Sequence, residues 1–432
     1  MNLKYIFHKF PTAAANAQVQ CNMHNRCSYV LHFATARFRL RLRHVRTFIN
    51  ARIKWVRDPY LDAAVEREKN LKSLHSLKNL ILSHPSQSLP LSAISPLKPH
   101  LGLPTTADKF IDNYPFIFKI FLPPNRTNPF PHVKITPKAL SVHYDELLHL
   151  NMSHYRTDVA QRLAKLLMIA RAGKLPLHLI DIFGYDLGLP HDYLLTLLPE
   201  FPDYFQICDL GFRDSNGEIV FGLELVNWRN DLAISEMEKR GESGMQMKYS
   251  MNLPRGFDLQ KRVQEWVEEW QNLPYISPYE NAFHLSPNSD HAERWTVGVI
   301  HEVLSLLVTK KTERENVFRL GEFLGLGRVR MKKALVHFPA IFYVSNKIRT
   351  QTVVLREAYR KKLMMEKHPL MAIRNRYVSL MELVLRRGRP VRGAAVRRRE
   401  RGKTCLRVVT NRKEDSNRWR RSDDDDDDDD DD

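Results

Sequence analysis

The sequence predicts a helix-rich α+β fold made of three winged-helix-like helix-turn-helix-hairpin units joined by amphipathic helices. The prediction depends on a repeated spacing. A Leu-Gly-Leu motif begins at Leu101 in unit one, Leu187 in unit two and Leu324 in unit three. An aromatic-Pro pair follows 13 or 14 residues after each glycine, and a phenylalanine stands three residues beyond each of these prolines. Such agreement across three copies indicates an internal repeat.

Each residue of the motif has a local structural reason. Glycine adopts the left-handed conformation that commonly ends a helix, and Pro104 and Pro190 are suited to the first turn of the next helix. The later proline ends that second helix, and the apolar run after it is typical of a buried strand. In unit two, the turn-forming residues 214–217 separate two apolar runs and predict a hairpin.

Amphipathic helices are predicted before and between the units. Helical patterns of apolar residues cover the stretches 60–83, 141–150, 157–172, 257–271 and 290–308. Trp266 and Trp270 lie on the apolar face of the fourth of these helices. We therefore expect both tryptophans in the core rather than on a base-stacking surface.

The folded region divides into two parts in this interpretation. Residues 241–253 are rich in Gly, Ser and Met, which predicts a flexible connection. The first part, 55–240, holds units one and two, and the second part, 254–381, holds the basic unit three. We expect 382–432 to form a disordered basic tail that ends in the poly-Asp run Asp423–Asp432.

The amino-terminal region has the composition of an organelle transit peptide. Residues 1–57 contain eleven Lys or Arg and no Asp or Glu, with apolar residues between the charges. We interpret 1–54 as the transit peptide, and a basic arm kept on the mature protein is the alternative. Because serine and threonine are few, the predicted location is the mitochondrion, with the chloroplast as the alternative.

The net charge of +18 indicates a polyanionic partner, either nucleic acid or an anionic membrane surface. No apolar run approaches the length of a membrane span, so no transmembrane helix is predicted. The sequence also lacks a Gly-rich phosphate loop, a His-Glu-x-x-His motif and a nucleophile elbow. Its four cysteines form no zinc-site pattern. We therefore predict that the protein is not an enzyme and needs no cofactor or metal.

Unit three is the most basic of the three units and supplies the candidate RNA-binding residues. Its second helix and hairpin present cations from one unit, which suits contacts with phosphates, whereas unit two has His191 and Asp192 at the corresponding place. Tyr343 is a candidate for base stacking if it is exposed. A solvated basic face without a specific partner is the alternative. The candidate cations are Lys310, Lys311, Arg314, Arg328, Arg330, Lys332, Lys333, Lys347, Arg349, Arg356 and Arg360.

Several motifs in fixed order resemble a known family. The stretch 270–279, WQNLPYISPY, the stretch 58–62, DPYLD, and the Phe-Pro and Tyr-Val-Ser residues within 338–345 resemble the plant organelle RNA recognition (PORR) domain family, also called "what's this factor" proteins. The similarity covers roughly residues 55–381. The family commonly has Lys-Gly after Tyr-Val-Ser, whereas this chain has Asn-Lys-Ile-Arg at 346–349.

The resemblance implies an organelle-imported RNA-binding protein that promotes splicing of group II introns and has no catalytic activity of its own. Its partners would be organellar intron RNA and other splicing factors in one particle. Two other functions stay open: a structural protein of the mitochondrial ribosome, and an organellar DNA-binding termination-type factor. The predicted strand hairpins argue against the last, whose family is built from helical repeats.

Overall fold

The computed structural model describes residues 55–123, 130–170, 172–241, 247–251, 253, 260–282, 284–348 and 350–383. Two helices, α1 (Pro59–Arg67) and α2 (Leu71–Ser83), open this part of the chain. Asp58 caps α1 by accepting hydrogen bonds from the backbone of Tyr60 and Leu61. The predicted helical stretch 60–83 is therefore two helices, because the chain turns between Arg67 and Leu71.

Unit one follows α2 and lies between residues 88 and 135. Its elements are β1 (Ser88–Pro90), α3 (Leu91–Ile94), α4 (Ala107–Asn113), β2 (Phe118–Phe121) and β3 (His132–Ile135). Two helices, α5 (Pro137–Leu150) and α6 (Ser153–Ile169), then lead to unit two.

Unit two lies between residues 174 and 225. Its elements are β4 (Lys174–Pro176), α7 (Leu177–Leu187), α8 (Tyr193–Thr196), β5 (Phe205–Arg213) and β6 (Ile219–Leu225). The connection to unit three contains α9 (Glu236–Arg240), α10 (Lys261–Gln271) and α11 (Asp290–Leu306).

Unit three lies between residues 311 and 355. Its elements are β7 (Lys311–Glu313), α12 (Arg314–Phe323), α13 (Arg328–His337), β8 (Phe342–Ser345) and β9 (Thr352–Leu355). A short pair of strands, β10 (Tyr359–Arg360) and β11 (Leu363–Met364), and the helix α14 (Pro369–Glu382) complete the described chain.

The three units share one topology. In each, the third strand lies in the middle of a three-stranded antiparallel sheet, so the orders are β1-β3-β2, β4-β6-β5 and β7-β9-β8. The glycine of each Leu-Gly-Leu motif is left-handed, with φ of 61° at Gly102, 78° at Gly188 and 75° at Gly325. The structure confirms the predicted helix-rich α+β class and these helix-ending turns.

Apolar side chains form two large clusters. The larger joins units two and three around α6, α10 and α11, and it contains Trp266 and Trp270, which are buried as predicted. The smaller joins unit one to α2, α5 and α14. Units two and three therefore share a core, whereas unit one packs with the carboxy-terminal helix.

A buried carboxylate on α11 makes polar contacts with α6, α9 and the stretch 270–279. Glu302 of α11 is 1% exposed and accepts hydrogen bonds from Tyr279 Oη at 2.6 Å and from the backbone N–H of Glu236 at 2.7 Å. Lys165 of α6 lies 3.0 Å from the same carboxylate. Tyr279 ends the stretch 270–279. The two ends of that stretch, residues 270–271 and 277–279, are buried, so both ends of the motif pack inside the protein.

Parts of the predicted organisation lie outside the described residues. These parts are 1–54, 242–246, 252 and 384–432. The transit peptide, the basic tail with its poly-Asp run, and the division at 241–253 stay predictions. Within the connection, Tyr249 is buried, and its backbone exchanges two hydrogen bonds with the Gln271 side chain. In the described part of the chain, no helix is both long and apolar enough to cross a membrane.

Candidate nucleic-acid interface

The second helix of unit three presents part of its surface to solvent. Gly327 has φ of 70° and precedes α13, which begins at Arg328. Val329 is 82% exposed, Val336 is 50% exposed, and Lys332 between them is also exposed. The other side of α13 packs on α11 and α12 through Met331, Ala334 and Leu335. The helix therefore has an open face that carries a cation.

Arg328 is exposed but already has anionic partners. Its guanidinium makes two hydrogen bonds to the Glu315 carboxylate, at 3.0 and 2.5 Å, and lies 3.5 Å from Glu322. It also lies over the Phe318 ring, 4.7 Å from the centroid. The hydrogen bond from Arg328 lowers the pKa of Glu315. Because this charge is matched within the protein, Arg328 is a weaker phosphate ligand than its exposure indicates.

Two further predicted cations on α13 hold the helix against α11. Arg330 is half-buried, and its Nη2 donates to the Ala292 carbonyl at 2.5 Å. Lys333 lies 3.6 Å from Glu293, which is also 2.9 Å from His337 Nδ1. These contacts position the helix, so the two cations are only partly available to a ligand.

Lys310 and Arg314 lie at the start of unit three and are half-buried. Lys310 Nζ donates to the Ser305 carbonyl at 2.6 Å and lies 2.8 Å from Glu366. Arg314 lies over the Phe318 ring, with its guanidinium carbon 5.3 Å from the centroid. Of these two side chains, Lys310 is paired with an acid and Arg314 is held against an aromatic ring.

Three of the predicted site residues, Lys311, Arg356 and Tyr343, are buried, and this corrects the prediction for them. Lys311 Nζ lies 3.0 Å from Glu68 and donates to Tyr359 Oη at 3.2 Å. Burial opposes its charge, but Glu68 raises the pKa of Lys311. A buried lysine paired in this way cannot reach a phosphate in this conformation.

Arg356 and Tyr343 are buried because α1 packs on the hairpin of unit three. Arg356 donates to Asp58 at 2.6 Å and to the Pro339 carbonyl at 3.0 Å. Tyr343 is 2% exposed, and its hydroxyl donates to Asp62 at 2.9 Å. Both acids belong to the stretch 58–62, so the motif that carried the family resemblance has a structural role. Tyr343 therefore cannot be a base-stacking platform.

Three of the predicted cations are exposed, and no acidic side chain lies within 4 Å of them among the described residues: Lys332, Lys347 and Arg360. Lys332 is on α13, Lys347 is in the turn between β8 and β9, and Arg360 is on β10. Arg349 lies outside the described residues. The neighbouring Lys361 and Lys362 are exposed too. We call Lys332, Lys347 and Arg360 the free cations of unit three.

Trp55 is a site residue that the sequence interpretation missed. Its indole is 47% exposed and stacks on Tyr343, with ring centroids 6.1 Å apart and an interplanar angle of 17°. Its Nε1 donates to the Val344 carbonyl at 3.2 Å. The available signal is a tryptophan three residues before the stretch 58–62 and at the end of the predicted transit peptide, 1–54.

Trp55 borders a cavity of about 190 Å³ between α12, α13 and the hairpin of unit three. We call it the Trp55 cavity. Apolar side chains form most of its wall, while the polar side chains include two cations on different helices, Arg314 and Lys332. The arrangement combines an aromatic face, an apolar wall and positive charge. Within the described residues, no three His, Cys, Asp or Glu side chains come together as a possible metal site.

Comparison with known proteins agrees with the motifs. The model of the "Plant organelle RNA recognition domain" family matches residues 56–386. The chain is 34% identical over 353 residues to "Protein WHAT'S THIS FACTOR 9, mitochondrial" of Arabidopsis thaliana, covering 79% of this chain and 88% of that protein. It is 28% identical to "Protein WHAT'S THIS FACTOR 1, chloroplastic" of Zea mays, covering 77% and 67% of the two chains.

A further relative, "Protein ROOT PRIMORDIUM DEFECTIVE 1" of Arabidopsis thaliana, is 29% identical and covers 76% of this chain and 82% of its own. No solved structure matches the chain. The family match extends over most of the chain and includes all three units, α1 and α14. The chain therefore belongs to the plant organelle RNA recognition domain family.

Proposed function

We propose that this protein binds organellar RNA through unit three and promotes splicing of group II introns, without catalysing the chemical steps itself. The observation that carries the proposal is the set of free cations, Lys332, Lys347 and Arg360, in a protein of the RNA recognition family. Each lies on a different element of unit three or directly after it. Cations without internal partners are the ones available to neutralise phosphates.

The topology of the units supports a winged-helix mode of binding. Each unit has a short strand, two helices and a hairpin, and its third strand is central in the sheet. In unit three, α13 occupies the place of a recognition helix and the β8–β9 hairpin that of a wing. Lys332 is on the first and Lys347 on the second. We propose that these two elements contact the RNA backbone together.

The proposed contribution to splicing is to hold the intron in a folded form. Phosphates that approach one another in a folded RNA repel, and protein cations placed between them reduce that repulsion. Contacts of this kind stabilise RNA without placing any protein group at the reacting phosphate. Other splicing factors in the same particle would supply further contacts.

We propose the mitochondrion as the location. The relative at 34% identity carries "mitochondrial" in its name, and residues 1–54 have the composition predicted for a transit peptide. The Zea mays relative is named as chloroplastic, so the chloroplast remains the alternative. A fluorescent fusion to the first 60 residues, imaged with markers for both organelles, distinguishes the two locations.

Crosslinking in isolated organelles tests the proposed function. The full-length chain is crosslinked to RNA, recovered and sequenced, and the same transcripts are measured in plants that lack the protein. The proposal expects intron sequences in the crosslinked RNA and accumulation of those transcripts in unspliced form. Stoichiometric sedimentation with ribosomal subunits, or preferential recovery of duplex DNA, would contradict it and favour the ribosomal or the termination-type function.

A further inference from the structure

We infer that the Trp55 cavity receives a single unpaired nucleobase of the bound RNA, which stacks against Trp55 while cations of unit three hold the adjacent phosphates. The inference rests on the proposed RNA binding and adds the feature of the RNA that is recognised. Besides the free cations it uses the Trp55 cavity, which Lys332 lines, and the exposed indole of Trp55.

The size and wall of the cavity suit a flat ring. Its volume of about 190 Å³ exceeds the roughly 150 Å³ of an apolar protein cavity known to bind benzene. Phe318, Leu335 and Phe342 supply apolar wall from two helices and a strand. Such a wall favours the faces of a base over a hydrated sugar or phosphate.

Trp55 provides the stacking surface at the edge of the cavity. One of its faces packs on Tyr343, and the Nε1 hydrogen bond to Val344 fixes the plane of the ring. Since Tyr343 is itself held by Asp62, the indole is held in place before any ligand binds. A ring held in advance loses little conformational entropy when a base stacks on it.

Positive charge distinguishes this cavity from a groove for an apolar peptide. Lys332 and Arg314 line it from α13 and α12, and neither has an ion pair with an acid in the described part of the chain. Lys347 follows Asn346, which also lines the cavity. A base inserted here would bring its flanking phosphates towards these cations. That arrangement of stacking and charge is the common basis of single-strand binding.

Substitution of Trp55 tests the inference. Affinities of the full-length chain for a single-stranded 12-nucleotide RNA and for a fully paired RNA duplex are measured at one salt concentration. In Trp55→Ala, affinity for the single strand should fall about 5- to 150-fold, which is the roughly 1–3 kcal/mol of one base stack converted to an affinity ratio. Affinity for the duplex should not change. Trp55→Phe should retain most of the single-strand affinity because it keeps an aromatic ring.

Trp228→Ala is the matched control, because Trp228, just after unit two, is 50% exposed and is not among the residues that line the Trp55 cavity. It should bind both RNAs like the wild type. The thermal midpoint of each variant identifies any loss of folding. Trp55→Leu keeps an apolar side chain but no ring, so it should lose single-strand affinity as Trp55→Ala does, and it keeps the test valid if Trp55→Ala unfolds. A folded Trp55→Leu variant with wild-type single-strand affinity would overturn the nucleobase site.

The two proposals fail in different ways. If the wild type shows no salt-dependent binding to any RNA, the proposed function fails. If the wild type binds RNA but Trp55→Ala and Trp55→Phe both bind the single strand with wild-type affinity, the nucleobase site fails alone. Equal losses for single strand and duplex would also overturn it, since an unpaired base is absent from the duplex.

Discussion

Units two and three share one framework but differ in the helix that follows the Leu-Gly-Leu turn. In unit three that helix, α13, has ten residues and carries the exposed Lys332. In unit two the corresponding α8 has four residues, and its Tyr193 is buried with its hydroxyl donating to Asp181 at 2.9 Å. The same turn and sheet order therefore support an open cationic surface in one unit and an internal packing element in the other.

The surroundings of the turn explain this difference. A Cβ placed on Gly188 of unit two would lie 2.6 Å from Tyr155 Oη and 3.1 Å from side-chain carbons of Val308 and Leu370. A Cβ on Gly325 of unit three would meet no atom within 4 Å. The turn of unit two is enclosed by α6, α14 and the segment that leads to unit three. The turn of unit three faces solvent and leaves room for a ligand.

Replacing the arginine that follows each hairpin with alanine should give the largest difference in unfolding free energy between the two units. Arg356, just after unit three, is 7% exposed and paired with Asp58, whereas Arg229, just after unit two, is half-buried and paired with the exposed Asp231. Arg356→Ala should lower the free energy of unfolding by about 3–5 kcal/mol because it leaves a carboxylate without its partner. Arg229→Ala should lower it far less, because water screens its ion pair. Urea denaturation measures both, and equal losses would refute the comparison.

Replacing Gly188 and Gly325 with alanine should give the next largest difference in unfolding free energy. Alanine in the left-handed region is strained by about 1–2 kcal/mol at either position. Gly188→Ala must also displace Tyr155, so its total loss of unfolding free energy should be about 2–5 kcal/mol. Gly325→Ala should show only the backbone strain. Chemical denaturation of both variants measures these losses. A smaller loss of unfolding free energy for Gly188→Ala than for Gly325→Ala would show that the side chains around Gly188 move aside at little cost.

Two buried carboxyl groups, Glu357 just after unit three and Asp186 in unit two, should respond to pH in opposite directions. Burial opposes the charge of Glu357, but the hydrogen bond with His301 and the charge of Arg240 lower its pKa to about 2. Burial raises the pKa of Asp186, although Lys72 and the hydrogen bond from Thr312 oppose the rise. Glu357 therefore stabilises the fold above its ordinary pKa of 4.5, and this contribution is lost as the pH falls towards 2. Asp186 contributes most at low pH, and its contribution is lost as the pH rises through its folded pKa.

Glu357→Gln should accordingly weaken the fold at pH 7 and flatten the loss of stability between pH 4.5 and 2, where one proton changes the unfolding free energy by up to about 1.4 kcal/mol per pH unit. Asp186→Asn should leave stability at pH 7 equal or higher. Urea denaturation at several pH values measures both effects. A Glu357→Gln variant with the pH dependence of the wild type would show that this carboxylate is not stabilised in the fold.

Local features of the fold could be predicted from the sequence. The left-handed glycines and the prolines act within a few residues of their own position, so their spacing predicted the turns and the order of helices and strands. The burial of Trp266 and Trp270 followed from their shared helix face. These predictions needed no knowledge of which elements meet in space.

The candidate site was harder to predict because its burial depends on distant contacts. Arg356 is bonded to Asp58, 298 residues earlier, and Tyr343 to Asp62, 281 residues earlier. Charge and position within unit three carry no information about α1 packing on the hairpin. The pairing of Arg328 with Glu315 was similarly hidden, because the two residues lie on different helices joined by a turn. The free cations differ from the buried or paired cations in side-chain exposure. That exposure depends on contacts between residues far apart in the sequence.

The salt dependence of RNA binding tests the central claim that the free cations of unit three contact phosphates. The triple variant Lys332→Ala, Lys347→Ala, Arg360→Ala is compared with a control that removes three exposed lysines from unit one and α5, Lys109→Ala, Lys119→Ala, Lys138→Ala. Each lost phosphate contact should reduce the slope of log K against log salt concentration by about 0.7. We predict a reduction of about 2 for the unit-three variant and little change for the control. Equal reductions in both variants, or none in the first, would contradict the assignment of unit three as the RNA-binding surface.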